Sequence, residues 1–233
     1  MIIKPIASGS SGNAYYISDG KNSLLLDAGI PLARIQAGCG YCVSKLSGCL
    51  ITHAHSDHVK SAKDLAKLGV DIYTSKGTID MAKLSGHRIH KIEALEQFET
   101  GTFTILPFDV EHDVPEPLGF LVYSKETKEK LLYVTDTYYI RYRFKGLTHI
   151  LIEANYDPEV IVNNTGSNYI DSSRAKRVIT SHMSIDTAIK TLEAFDLSTV
   201  QQIYLLHLSN DNSNAEAFRE RVQAATGKEV YIC

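Results

Sequence analysis

The sequence contains no tryptophan, only four cysteines and three methionines, and six prolines in 233 residues. Four cysteines are too few to staple a chain of this length, which excludes a disulfide scaffold and fits a reducing compartment. Cys39-Gly40-Tyr41-Cys42 has the spacing of a metal-ligand pair, but a second pair is missing, and ordinary free thiols are the expectation there. Long apolar runs are also lacking. Met1-Ile2-Ile3-Lys4-Pro5-Ile6 has neither the basic start nor the continuous apolar stretch of a secretory signal, and no later segment reaches the length of a membrane span. A cytoplasmic protein with no membrane partner is therefore expected. Nor does one sign of charge dominate: the net charge is −3. That value does not advertise a nucleic-acid binder, yet two bound divalent cations would add about four positive charges where a phosphate would sit.

Linkers, low-complexity tracts and repeats are absent, so residues 1–233 are expected to form one domain. The chain opens with β-rich runs at Ile2-Ser8, Ala14-Ser18 and Ser23-Leu26 between Gly/Ser/Asn turns, the pattern of a strand meander. Cys49-Thr52 reads as a short strand, and the apolar spacing of Val59, Ala62, Leu65 and Ala66 predicts a helix over Asp57 to Leu68. Further strands are expected at Val70-Thr74, Phe103-Phe108, Gly119-Tyr123, Leu131-Thr135 and His149-Glu153, with a helix at Thr78-Leu84. The last third alternates. Ser184 caps a helix through Phe195, followed by strand Ile203-Leu206, helix Ala215-Ala225 and strand Glu229-Ile232. Two β-rich halves, each with helices, predict sheets packed face to face with helices outside.

Between the short strand and the following helix lies Thr52-His53-Ala54-His55-Ser56-Asp57-His58. His53 and His55, two apart on a segment leaving a strand, can project to one side, while Asp57 and His58 turn to a second point nearby. Imidazole and carboxylate are the donors that hold zinc or comparable first-row metals while leaving a position for water. Two metals need more ligands. His112, Asp136 and His207 each follow an expected strand, where a loop can offer a side chain to a shared cleft. Any one of them alone would more often be a structural histidine or a turn-forming aspartate.

Together these residues resemble the metallo-β-lactamase superfamily, whose pattern is an Asp after an early strand, then His-x-His-x-Asp-His, then a separate His, Asp and His. Asp27, in Leu24-Leu25-Leu26-Asp27-Ala28-Gly29, matches the first of these. The resemblance implies an α+β fold, the αββα four-layer sandwich of two mixed sheets. It also implies that His53, His55 and His112 hold one metal, that Asp57, His58 and His207 hold the other, and that Asp136 bridges them. Asp27 would orient the histidine loop. Where β-lactamases of the family place a Cys, this chain has Asp136, which is similar to hydrolases of phosphodiesters and thioesters. Ser8-Gly9-Ser10-Ser11-Gly12-Asn13, Glu116-Pro117-Leu118-Gly119, Tyr133-Val134-Thr135-Asp136-Thr137 and Leu206-His207-Leu208-Ser209 resemble the YycJ/WalJ group, which is associated with exonuclease action on DNA. Asn155-Tyr156-Asp157 departs from the His expected in the middle position of many relatives.

Ser181-His182-Met183-Ser184 resembles the tail of RNase Z enzymes, which implies that His182 donates a proton to the departing oxygen; a histidine bonding the helix start is the alternative. For phosphate there are two further candidates. Ser10, Ser11 and Asn13 could point hydroxyls and amides at an anion, or simply form a turn. Arg141 and Arg143, with Lys145 interleaved among Tyr139, Tyr142 and Phe144, could grip a nucleic-acid backbone, or form a solvated face.

The resulting expectation is a metal-dependent phosphodiesterase, a DNA exonuclease whose nucleophile is a hydroxide supplied by a dinuclear centre, with Asp57 also positioning it. Zinc or manganese would fill the centre, with iron a further possibility. DNA is favoured over RNA as the partner. The alternatives are a small phosphodiester or glyoxalase II-like thioester hydrolase, and RNase Z-like RNA processing.

Overall fold

The computed structural model describes residues 1–167 and 169–233. They group into two compact units, Met1–Asp109 with Val114–Glu129, and Val110–Asp113 with Lys130–Cys233.

In the first unit, β1 (Ile2–Ala7), β2 (Ala14–Ser18) and β3 (Ser23–Leu26) form the expected antiparallel meander. Three parallel strands continue the sheet: β4 (Gly48–Leu50), β5 (Ile72–Thr74) and β6 (Ile89–Lys91). The crossovers carry α1 (Leu32–Gly38), α2 (Ser56–Val59), α3 (Ala62–Lys67) and α4 (Lys76–Met81). A separate antiparallel set follows, β7 (Phe98–Thr100), β8 (Phe103–Asp109) and β9 (Leu118–Ser124). The sheet's core is apolar and closed: Leu25, Cys49, Ile51, Leu65 and Ile72 are fully buried. Each such aliphatic side chain contributes about 1.5–3 kcal/mol of transfer free energy.

The helix expected over Asp57 to Leu68 is two helices. Ser61 breaks it because its backbone N–H donates to the Ala28 carbonyl at 2.9 Å and its hydroxyl to the Ile30 carbonyl at 2.6 Å. These long-range bonds tie the helix start to the exit of β3 and override the apolar period. The structure adds α1, β6 and β7, which are short and carry little periodic signal; α1 lacks a side-chain cap.

The second unit is a parallel sheet of order β13-β12-β11-β10, built from β10 (Lys130–Val134), β11 (His149–Glu153), β12 (Gln202–Leu206) and β13 (Glu229–Ile232). The strands read as continuous apolar runs because parallel sheets are covered on both faces. Leu131, Leu132, Tyr133, Val134, Ile150, Leu151 and Ile152 are all inaccessible to solvent. The expected helices appear as α7 (Ile185–Glu193) and α8 (Ala215–Thr226). Ser184 caps α7 by accepting the Thr187 N–H at 3.1 Å. Between β11 and α7 the structure adds α5 (Pro158–Gly166) and α6 (Ser172–Ser181), each capped by an aspartate, Asp157 and Asp171.

Candidate metal centre

In open α/β sheets ligands collect beyond the carboxyl ends of the strands, and the candidate residues follow that rule. Asp27 follows β3, His53 lies three residues beyond β4, Asp136 two beyond β10 and His207 one beyond β12. Three of these positions are strained. Asp27, Asp136 and His207 have φ of 56°, 49° and 53°, in the left-handed region. Side chains other than glycine hold such conformations at a cost of roughly 1–3 kcal/mol, which persists only where the surroundings dictate it. The bend turns each side chain out of the strand pleat just where the sheet ends.

Within the first unit, Asp27 organises the histidine loop. Its carboxylate accepts the Thr52 N–H at 2.8 Å and the Thr52 hydroxyl at 3.0 Å, and its Oδ2 lies 2.8 Å from His58 Nδ1. Donation from Nδ1 leaves the lone pair of His58 on Nε2. Thr52 Oγ1 is 3.0 Å from His53 Nδ1, so the same logic directs His53 Nε2 outward. His53 Nε2 is 3.2 Å from His55 Nδ1, and His58 Nε2 is 3.6 Å from Asp57 Oδ2. Ligand atoms bound at about 2.0–2.1 Å to one tetrahedral zinc stand roughly 3.3 Å apart. The spacing and the chemistry of these donors therefore fit a divalent metal.

Asn13 is buried behind this loop. Its amide nitrogen reaches Gly9 O at 3.1 Å and His58 Nε2 at 3.0 Å, while its oxygen accepts Gly9 N–H and the Tyr15 hydroxyl. Ser10 and Ser11 are exposed at the tip of the same turn. The three phosphate candidates thus divide, with the serines facing solvent and Asn13 bracing a histidine. Gly29 passes so close to α2 that an added Cβ would sit 1.5 Å from the Asp57 carbonyl oxygen.

Within the second unit, Asp136 offers one oxygen to each of two histidines. Oδ2 is 3.7 Å from His112 Nε2, and Oδ1 is 3.6 Å from His207 Nδ1. The two oxygens of this carboxylate thus face two different histidines. His112 Nδ1 lies 3.0 Å from the Ser181 carbonyl, a donation that puts its lone pair on Nε2. Asn155 donates its amide to the His207 carbonyl at 2.7 Å and holds the strained residue in place.

Glu153, the last residue of β11, is the site residue that sequence reasoning missed. Fully buried, it accepts the N–H groups of Thr137 and Met183 on one oxygen, and its other oxygen is 2.6 Å from His182 Nδ1. Ligand-type atoms of Asp136, Glu153, His182 and His207 all lie within 4.8 Å of one another. The available signal was an acid closing an otherwise apolar strand. Burial disfavours the charged form of His182, but the charge of Glu153 and its hydrogen bond outweigh this, and the histidine holds its proton more tightly than usual. Burial likewise opposes the charge of Glu153, which nonetheless stays below the ordinary carboxylate range through His182 and its hydrogen bonds.

The aromatic-basic stretch after Asp136 is mixed. Arg141 forms an ion pair with Glu111 and Arg143 is exposed, while Phe144 packs on Phe195 with ring centroids 6.3 Å apart.

A family model described as a β-lactamase superfamily domain matches residues 23–208. The chain belongs to this superfamily, in its metallo-β-lactamase branch. The exodeoxyribonuclease WalJ of Streptococcus pneumoniae is 33% identical over 229 residues, covering 91% of this chain and 82% of its own length. Exodeoxyribonuclease YycJ of Bacillus anthracis is 28% identical over 93% of this chain and 86% of its own. The metallo-β-lactamase fold protein YhfI of Bacillus subtilis superposes with a TM-score of 0.75 at 18% identity, covering 99% of this chain and 95% of its own. That likeness shows the fold, the α+β sandwich of two mixed sheets with helices. As a member of the metallo-β-lactamase branch the chain is a metal-dependent hydrolase that binds divalent metal through a His/Asp cluster. Among its described residues, no helix is long and apolar enough to cross a membrane.

Proposed function

We propose that this chain is a phosphodiesterase that removes nucleotides from DNA ends. The observation that carries the reading is the Glu153–His182 pair beside Asp136 and His207. Hydrolysis of a phosphodiester expels an alkoxide, and an imidazole aligned by a buried carboxylate is suited to protonate it. His182 Nδ1 is committed to Glu153, which leaves Nε2 to face the departing oxygen. His182 stands at the C-terminal end of α6, and Met183 N–H is anchored to the same Glu153, so the imidazole is held from both sides. The names of the two relatives, both exodeoxyribonucleases, support DNA as the polymer.

In this reading residues 1–233 act as one functional domain. His53, His55 and His112 would hold one divalent ion, Asp57, His58 and His207 a second, and Asp136 would serve both. When bound, such ions lower the pKa of water and neutralise charge on the phosphate. Asp57 orients the attacking water, and Asp27 with Thr52 fixes the tautomers of His53 and His58. Ser10 and Ser11 are the anion contacts on the first unit, and Arg143 on the second. Zinc and manganese both suit the donors.

The test is cleavage of end-labelled single-stranded DNA, double-stranded DNA and RNA with the metal varied, comparing wild type with Asp57→Ala and His182→Ala. Metal-dependent shortening of DNA, lost in Asp57→Ala and reduced about 10²–10⁴-fold in His182→Ala, is expected. Turnover of a thioester or small phosphodiester with no cleavage of any polymer would overturn the nuclease reading, and equal rates in His182→Ala would remove the proton donor.

A further inference from the structure

The first unit holds a second concentration of charge, away from the donor residues. α3 begins four residues after His58, buries Ala62 and Leu65 and leaves Lys63 and Lys67 exposed. Four residues apart on a helix, these two share a face, with about 6 Å between them along the axis. The loop leading into β6 closes against that face, turning at Gly86, whose φ of 121° is one that side chains rarely adopt. Between helix and loop lies an open pocket of about 280 Å³, whose charged lining is Lys63, Lys67 and Arg88, with His87, Ser85 and Gly86 completing its polar wall.

No carboxylate lines this pocket among the described residues. Lys67 pairs with Asp64 at 3.0 Å on the surface, a pair of the weak kind that exchanges readily, and Arg88 pairs with Asp71 at 3.2 Å in a half-buried contact. Among the described residues Lys63 has no carboxylate within ion-pair distance. In a chain of net charge −3, three cations converging on one cleft mark a site for an anion. Ala66 is the one apolar side chain in the wall, so nothing there would enclose a cofactor. The chemistry is that of a phosphodiester backbone contacted without reading sequence.

We propose that this pocket is a backbone-phosphate site, gripping the DNA strand away from the scissile bond so that the end being trimmed stays seated between cleavage events. The proposal rests on the nuclease reading for its substrate and on the pocket for its location. Its test is binding of fluorescein-labelled oligo(dT) by anisotropy, between about 50 and 200 mM salt. The full chain is used in an Asp57→Ala background so that the strand is not consumed.

Lys63→Gln/Lys67→Gln should raise Kd about tenfold or more at the low-salt end and lower the slope of log K against log salt by about 1.5, the loss of two phosphate contacts. The melting temperature should stay in place, and Lys21→Gln/Lys228→Gln, two neutralisations elsewhere, should leave Kd and slope where they were. An unaltered Kd and slope in the pocket variant, or an equal fall in the control, would overturn the proposal. Cleavage is scored apart. A wild type that binds DNA through the pocket but cuts none sinks the nuclease reading alone, and one that cuts DNA with an unaltered pocket variant sinks the pocket alone.

Discussion

The two units supply metal-type donors in opposite ways. The first offers four within six residues, His53, His55, Asp57 and His58, on one loop and one short helix. The second gathers Asp136, Glu153, His182 and His207 from three strand ends and a helix C-terminus spread over 72 residues, and adds His112 from a separate short segment. A local loop needs one support, and Asp27 provides it through Thr52 and His58. A dispersed set needs the sheet itself to bring its members into register, with left-handed bends at Asp136 and His207 and Asn155 fixing the second of them. The local set should therefore fail by losing its orienting carboxylate, and the dispersed set by losing its shared one.

The largest effect is expected from Asp136→Ala. Its two oxygens face His112 and His207 separately, so its loss should empty more than one metal position. Turnover should fall about a thousandfold or more, since a catalytic metal supplies several kcal/mol. Metal content by mass spectrometry is the discriminating measurement. Loss confined to a single ion, as from an ordinary terminal ligand, would end the bridging assignment.

Asp27→Asn addresses the local set. Asparagine tolerates the left-handed backbone at this position and keeps the shape, but it loses the charge that takes the His58 Nδ1 proton. Metal affinity should drop about 10–100-fold, with the protein still folded. Unchanged affinity in a metal-competition titration would mean that the loop orients its own histidines.

What the sequence showed and what it hid follow the same division. Thr52 to His58 is visible because ligation there is written in adjacent letters, and the apolar periods of β2, β3, β11 and β13 give those strands residue for residue. His112, Asp136 and His207 were visible only in the company of that motif. Glu153 was hidden, because an acid at a strand end is ordinary until β11 is seen beside β10 and β12, with His182 returned to it by α6. The left-handed turns at Asp27, Asp136 and His207 leave no mark on residues other than glycine. α5 escaped because its β-branched run Val160-Ile161-Val162 argues against a helix, α6 because its apolar residues are few, and the break at Ser61 because its cause is a bond to Ala28, outside any local window.

Gly29 shows how tightly the local set is packed. A Cβ there would overlap the Asp57 carbonyl, backbone against backbone, with no flexible side chain to yield. Gly29→Ala should cost about 1–3 kcal/mol, lowering the melting temperature by several degrees, at about 2–4 °C per kcal/mol for a chain of this size. Metal affinity should fall with it, since the displaced residue is a donor. A stable variant with full affinity would show that the loop can shift without harm, and the contrast with the dispersed set would lose its force.

The smallest effect tests whether the dispersed set depends on local helix chemistry at all. Ser184 caps α7 two residues after His182, accepting the Thr187 N–H at 3.1 Å. Ser184→Ala removes that cap, at a cost of about 1 kcal/mol and a fall of about 2–4 °C in melting temperature. His182 should not notice. Its imidazole is bonded to Glu153 and the Met183 N–H is held by the same carboxylate, so its position is set from the sheet side and not by the helix that follows. Calorimetry should register the loss while kcat stays within about twofold, whereas a drop in kcat as large as that of His182→Ala would place the anchor in the α7 cap and remove Glu153 from that role.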